Sequence, residues 1–522
     1  MRKRGLRVKP ILTVVAACVA LAFSGCNGAD YEIEEIEKEI EEIEEIEEIP
    51  EEPRAEIWAL DWDYVMSRAA ARREGIEKPD YERLLAMTEG RVPTRLPQRF
   101  RNAWDESYED PPQYFSVEAA MADAFLLFNV LRDVYGGYVY FGGDDMFSAI
   151  LGDVAAEFFL LGQDMISAED FAQILHRHLN RVVVDNHFWI GDERMGAGLS
   201  YFHRQGLYYN RTEEGFRNRA TDLYLTEIQG YDIEAVMRLH ADAQGQLFYR
   251  PVLLADAAQA TQPTTFVYED GQRETRTFIR ETPRGRQQMQ LPSLRTEDNI
   301  PILRVMAMGF DGHENAMGIA HAEPFMAYAR QLRDEPVVIV DIRGNGGGNG
   351  LLPARWLHAL TGEIVPSNYI WLSAHPYNSS DFEFNPDNAA QNPPNSWRTY
   401  TDVGPFGEGY TIFNTAPRRI VPRDQLLILL IDRGASSAAE DLVDRAFNVE
   451  NTLVIGTATS GALAFDATYP SINLPGTGVP FGVGRAMMLW PDGHFAEGVG
   501  IVPDIWVAGD ALAAALALIP PS

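Results

Sequence analysis

Lysine is nearly missing from this chain. Lys3, Lys9, Lys38 and Lys78 are the only ones, so no side-chain ammonium is available to chemistry beyond position 78. Cysteine is scarcer still. Cys18 and Cys26 are the only two, which removes disulfides, a thiol nucleophile and a Cys-ligated metal from everything after them. Basic charge is short overall, with 44 Lys and Arg against 76 Asp and Glu and a formal net charge of −32. Past the first fifty or so residues about −24 remains, and such a surface repels phosphate backbones, which argues against nucleic acid as a partner. No His-Glu-x-x-His is present, and the two rings of His176-x-His178 leave different faces of a helix, so neither a metal nor another cofactor is expected. The apolar run from Ile11 to Phe23 is shorter than the ~20 residues a permanent membrane span needs.

What is present begins with Arg2, Lys3, Arg4, Arg7 and Lys9 ahead of that apolar run, the layout of a secretory signal peptide over residues 1–25. The run ends in Phe23-Ser24-Gly25-Cys26, which resembles the lipobox of bacterial lipoproteins. The resemblance implies lipidation of Cys26 and an exported protein, membrane-anchored at the cell surface or in the periplasm. A Glu-Glu-Ile repeat from Tyr31 to Ile49 then reads as an acidic spacer within a 26–55 linker, because dense glutamate opposes compaction.

With 522 residues, 46% hydrophobic, the chain can bury more than one core. Residues 56–190 read as a helical domain, with helical spacing over Ala119 to Val134 and Ser167 to Leu179 and a capping pattern at Ser167-Ala-Glu-Asp. Residues 191–290 turn strand-rich (Leu207-Tyr-Tyr, Asp222 to Ile228, Thr265 to Tyr268), with turns at Gln229-Gly230 and Asp270-Gly271. The run from Leu225 to Val236 looks like the strand, turn and helix of a PDZ domain. From 291 to 522, strands (Pro301 to Met308, Val337 to Asp341, Gln425 to Ile431, Leu453 to Ile455) alternate with helices (Phe325 to Leu332, Ala438 to Phe447), and Asp510 to Ile519 closes the chain. That alternation predicts an α/β core with a mainly parallel sheet. Pro376 to Pro417, rich in Asn, Pro and Ser, reads as a long loop.

Two motifs sit where such a sheet places its chemistry. Asp341-Ile-Arg-Gly-Asn-Gly-Gly-Gly follows an apolar strand, and its glycines allow backbone N–H groups to converge on an anion. It lacks the Gly-Lys-Ser/Thr ending of a phosphate loop and the spacing of a dinucleotide site. Asp432-Arg-Gly-Ala-Ser-Ser-Ala-Ala-Glu follows the next strand and opens a helix. A serine there gains from the helix dipole and from the N–H after it, although Ser437-x-x-Glu440 also reads as a capping box.

These motifs, with Ile455-Gly-Thr-Ala-Thr-Ser-Gly and Glu497-Gly-Val-Gly-Ile-Val-Pro-Asp504, form a series that resembles the C-terminal processing, tail-specific and tricorn-type serine peptidases. The resemblance implies a crotonase/ClpP-like β-α superhelix, Ser437 as nucleophile, and an oxyanion hole near Gly346, Gly347 and Ala438. Tail-specific members place a lysine where this chain has Ala462, and no lysine exists in the core. The tricorn-like branch, similar to chlamydial protease-like activity factor, uses histidine with glutamate, which implies His187 of Asp185-Asn-His187 as base and Glu497 as its orienting acid. Tricorn's own histidine position is Arg304 here. His494 is the main rival to His187, while His176 and His178 sit on an expected helix and His313 and His321 precede the helix that leads to the glycine loop. The function implied is a serine endopeptidase acting on exported or extracytoplasmic polypeptides. The alternative is a catalytically inactive, peptide-binding lipoprotein on the same fold.

Overall fold

The computed structural model describes residues 62–72, 112–282, 291–309, 323–374, 404–405, 410–413, 419–466, 472–484, 486–490 and 497–519. The signal and acidic segments, Cys26, His313, His321 and His494 lie outside them.

Four strand sequences in the C-terminal half are near-continuous apolar runs, the pattern of strands covered on both faces. They pair in parallel in the order Ile300–Arg304, Val337–Asp341, Leu426–Ile431, Thr452–Gly456. Parallel pairing continues through Ile505–Trp506 to Met237–Ala241. Antiparallel strands complete a ten-stranded sheet, Ser293–Glu297 at one edge and Leu247–Pro251, Tyr209–Thr212 and Gly215–Asn218 at the other. Side chains alternate across it. Ile302, Ile339, Ile428, Leu430, Leu453 and Ile455 pack on one face with helices Trp62–Ala71 and Ala511–Leu518. Leu303, Val338, Val340, Leu427, Leu429, Ile431 and Val454 pack on the other with Glu323–Gln331, Leu351–Thr361 and Ala438–Ala446. The α/β core expected from the alternation is present, and strands from residues 209–251 extend its sheet.

Leu253–Asp256, Leu199–His203, Arg273–Arg280, Thr261–Tyr268 and Leu225–Ile228 form a separate five-stranded antiparallel sheet. Gly230, at φ 83°, turns the chain from Leu225–Ile228 toward the short helix Ile233–Val236, as Gln229-Gly230 predicts.

The helical region contains Val117–Val134, Gly143–Leu160 and Ala168–Leu179. Ser167 caps the third, its Oγ accepting from Asp170 N at 3.0 Å. The apolar faces of these helices close over residues from the far end of the chain, among them Phe465, Leu474, Phe481, Val483 and Met487. Asp123 ties the two together by accepting from the Gly476 and Thr477 N–H groups. Strand Asp185–Ile190 likewise pairs with Pro480–Gly482.

The segment expected as a loop between Pro376 and Pro417 needs correction. Gly404–Pro405 and Tyr410–Phe413 are strands in a four-stranded antiparallel sheet with Ile370–Ala374 and Ala486–Leu489. Tyr410-Thr-Ile-Phe is aromatic and β-branched throughout, which suits a pleated surface. Residues 375–403 lie outside the described residues.

Candidate active site

Three adjacent parallel strands end side by side, and the loops after their carboxyl ends build the site. The Val337–Asp341 strand leads into the glycine loop. Arg343 binds Asp341 through two bonds of 2.8 Å, and Arg304 pairs with the same carboxylate at 2.5 Å and donates to Arg343 O at 2.6 Å. Burial alone would raise the Asp341 pKa, but the two guanidiniums hold it below the usual carboxylate range. Arg304 therefore braces the base of the loop. The loop is tied to the next one by Ser436 N donating to Asn345 O at 3.0 Å and by Asp432 accepting from Gly344 N at 2.7 Å.

Ser437 stands at the turn after Leu426–Ile431 with φ 55° and ψ −119°, a conformation non-glycine residues rarely adopt. An ordinary N-cap has extended backbone. Here Glu440 Oε2 reaches back to Ser437 N at 2.9 Å, while the Ser437 hydroxyl meets His187 Nε2 at 3.2 Å. The serine takes part in a capping box with Glu440 while its oxygen also lies within reach of the imidazole. Held strain of this kind concentrates at functional sites.

Glu440 is fully buried and fixes the third loop to the same point. Its carboxylate also accepts from Gly461 N at 2.9 Å, Ala462 N at 2.8 Å and the Thr459 hydroxyl at 2.5 Å. Arg433 clamps this loop to the Glu497 loop by donating to the Thr459, Gly498 and Val499 carbonyls, its guanidinium over the Tyr201 ring.

His187 comes from the strand Asp185–Ile190, whose pairing with Glu193–Met195 shifts register between Asp185 and Trp189. Bulges of this kind re-aim side chains beside active sites. Asp185 Oδ1 accepts from the His187 and Phe188 N–H groups at 2.7 and 3.1 Å, and Asn186 Nδ2 donates to Gly461 O at 2.6 Å. Burial, aided by the Arg194 charge, lowers the His187 pKa to about 4. The ring is neutral at neutral pH, the state a general base requires.

Glu497 is also buried. Oε1 accepts from Asn186 N at 2.7 Å and Oε2 from Ala464 N at 2.9 Å. Asp185, His187 and Glu497 each offer an atom within 4.8 Å of the others, yet His187 Nδ1 is buried with no hydrogen-bond partner. The structure thus joins Ser437 to His187 directly and brings Glu497 alongside without a bond to the ring. Burial and the neighbouring carboxylate push the Glu497 pKa well up, and burial pushes Asp185 to about 7. Two buried carboxyls this close do not both ionise near neutrality.

Of the three expected oxyanion amides, Gly347 N donates to Asn345 Oδ1 at 3.0 Å. The N–H groups of Gly346 and Ala438 have no acceptor among the described residues. Gly347, at φ 89°, lies so close to the Ser437 turn that an added Cβ would stand 2.6 Å from Ser436 O and 2.8 Å from Ser437 Cβ. The half-buried ring of His176 bonds Arg194 O, and His178 pairs with Glu157.

Sequence reasoning missed the work of Glu440, Arg433 and Arg304. The capping-box spacing singles out Glu440, but only the fold shows which amides it gathers.

Residues 315–507 match the model of peptidase family S41. Over those residues, somewhat over a third of the chain, it is similar to the C-terminal processing and tail-specific peptidases, and the match marks the protein as a serine-type peptidase. Solved structures similar to it include mature CPAF (13% identity, 77% of this chain and 96% of that one, TM-score 0.39). Others are the photosystem II D1 C-terminal processing protease (14%, 75% and 93%, TM-score 0.33) and a putative peptidase from Parabacteroides merdae (16%, 77% and 96%, TM-score 0.36). No curated protein matches the chain.

Proposed function

We propose that this peptidase hydrolyses exported or extracytoplasmic polypeptides through Ser437 as nucleophile, His187 as general base and Glu497 as the acid that orients and balances the imidazole. The observation that carries this is the 3.2 Å approach of His187 Nε2 to the oxygen of a serine held at positive φ. The neutral ring takes the hydroxyl proton as Oγ attacks the scissile carbonyl, and gives it to the leaving amine as the acyl-enzyme forms. Water then enters by the same route. Gly346 and Ala438 N–H groups face the developing oxyanion, and Gly347 joins them once its amide leaves Asn345. Glu497 reaches Nδ1 by a small inward movement as the imidazolium forms, since catalytic hydrogen bonds in unliganded sites are often long.

In this reading residues 191–290 are a PDZ-like module that presents polypeptide, and the chain is held at a membrane by lipid on Cys26. Among the described residues no helix is long and apolar enough to cross a membrane. The test is labelling by a serine-reactive fluorophosphonate, with casein degradation by wild type and by Ser437→Ala. Label on Ser437 and loss of degradation in the variant are expected. A folded, casein-degrading preparation without label at Ser437 removes the assignment.

A further inference from the structure

The arginines around the site are committed, with one exception. Arg304 and Arg343 share Asp341, and Arg433 spends its donors on three carbonyls. Arg194 differs. It lies on Glu193–Met195, paired with Trp189 across the hairpin that carries His187. Its Nη1 donates to Asn186 O at 3.1 Å, spanning the bulge, and the side chain is otherwise exposed. No carboxylate among the described residues lies within ion-pair distance, and the adjacent Glu193 is turned to His176, 3.9 Å from Nδ1. In a chain with 76 acidic residues against 44 basic ones, a guanidinium with no acid among the described residues, bonded to the carbonyl of the residue before the proposed base, is a cation kept open. Its field reaches the imidazole, where it adds to burial in depressing the pKa of His187.

We propose that Arg194 is a specificity-determining residue that binds a carboxylate of the polypeptide substrate beside the scissile bond, so that acidic sequences are cleaved in preference. The inference rests on the Ser437 and His187 reading and adds the substrate class. A guanidinium bound through one donor still offers its others, in the planar fork that matches a carboxylate. A bound acid would also screen the Arg194 charge from His187 and leave the base stronger for the right substrate than for the wrong one.

The test uses fluorogenic peptides that differ in a single flanking residue, Asp, Asn or Lys, with wild type, Arg194→Lys, Arg194→Gln and Arg194→Glu. Wild type is expected to favour Asp over Asn by about five-fold in kcat/KM, chiefly through KM, the size of an exposed ion pair, and the preference should shrink as salt rises. Arg194→Lys should keep the order, Arg194→Gln flatten it and Arg194→Glu invert it. Fluorophosphonate labelling at Ser437 is followed in each protein. A labelled wild type with no preference for Asp over Lys overturns the proposal even where the variants do not fold, and so does an unchanged order in Arg194→Glu. An unlabelled wild type that still cleaves peptide overturns the serine and histidine reading beneath it.

Discussion

Gly347→Ala probes how tightly the glycine loop is fitted to Ser437, the proposed nucleophile. The new methyl carbon would stand 2.6 Å from Ser436 O and 2.8 Å from Ser437 Cβ, where ordinary contact begins at 3.4 Å. Both neighbours are backbone or close to it, so the turn must retreat by about 0.6–0.8 Å. Misplacement by ~1 Å near reacting atoms costs on the order of 10²-fold, so a fall in kcat/KM of roughly 30-fold or somewhat more is expected. The φ of 89° adds about 1–2 kcal/mol of strain for alanine, a minor loss for a chain with this much buried core. The assay is peptide hydrolysis beside the fluorophosphonate labelling rate of Ser437, with circular dichroism melting as the control for folding. A variant that melts cooperatively and retains wild-type kcat/KM and labelling would refute the close-fit argument.

His187, with its pKa near 4, should place the acid limb of the kcat/KM profile well below 6.5, because the neutral ring is the active form and burial favours it. A limb at 6.5 or above would mean a solvated imidazole. Protonation of the Asp185 and Glu497 pair should add an inflection near pH 7 that disappears in Asp185→Asn, as a pH profile of that variant would reveal. Glu440→Gln turns an amide N–H₂ toward donors from Ser437, Gly461 and Ala462 and should lower stability by roughly 3 kcal/mol in urea unfolding; an unchanged midpoint would remove Glu440 as the hub. Asp341→Ala leaves two guanidiniums without their acid and should cost about 3–5 kcal/mol, with the glycine loop and activity lost together.

The parallel core was legible because its strands are short, continuous apolar runs bounded by glycine and polar residues. Leu426–Ile431 and Val337–Asp341 fall within a residue of where the pattern puts them. The strand expected over Pro301 to Met308 ends at Arg304, because Val305 to Met308 instead make loop contacts with Asp341 and Gly347. Tyr410–Phe413 was hidden inside a polar, proline-rich stretch whose composition outweighed four residues. Ser437 and His187 could be named from motifs, but the unpartnered Nδ1 could not, since it depends on two backbone amides turning Glu497 away from the ring. Arg304 looked anomalous beside a family pattern. In space it is a buttress, a role no local spacing announces.

Ser437 and His187 stand 250 positions apart in the chain, and the strand bearing the histidine is held by Pro480–Gly482, beyond the serine. On the proposed mechanism, neither half of the molecule holds both reacting groups in place alone. A chain that emerges from its amino end first presents the imidazole long before the strand that holds it in place, so the proposed pair is assembled only after residues 480–482 have been made.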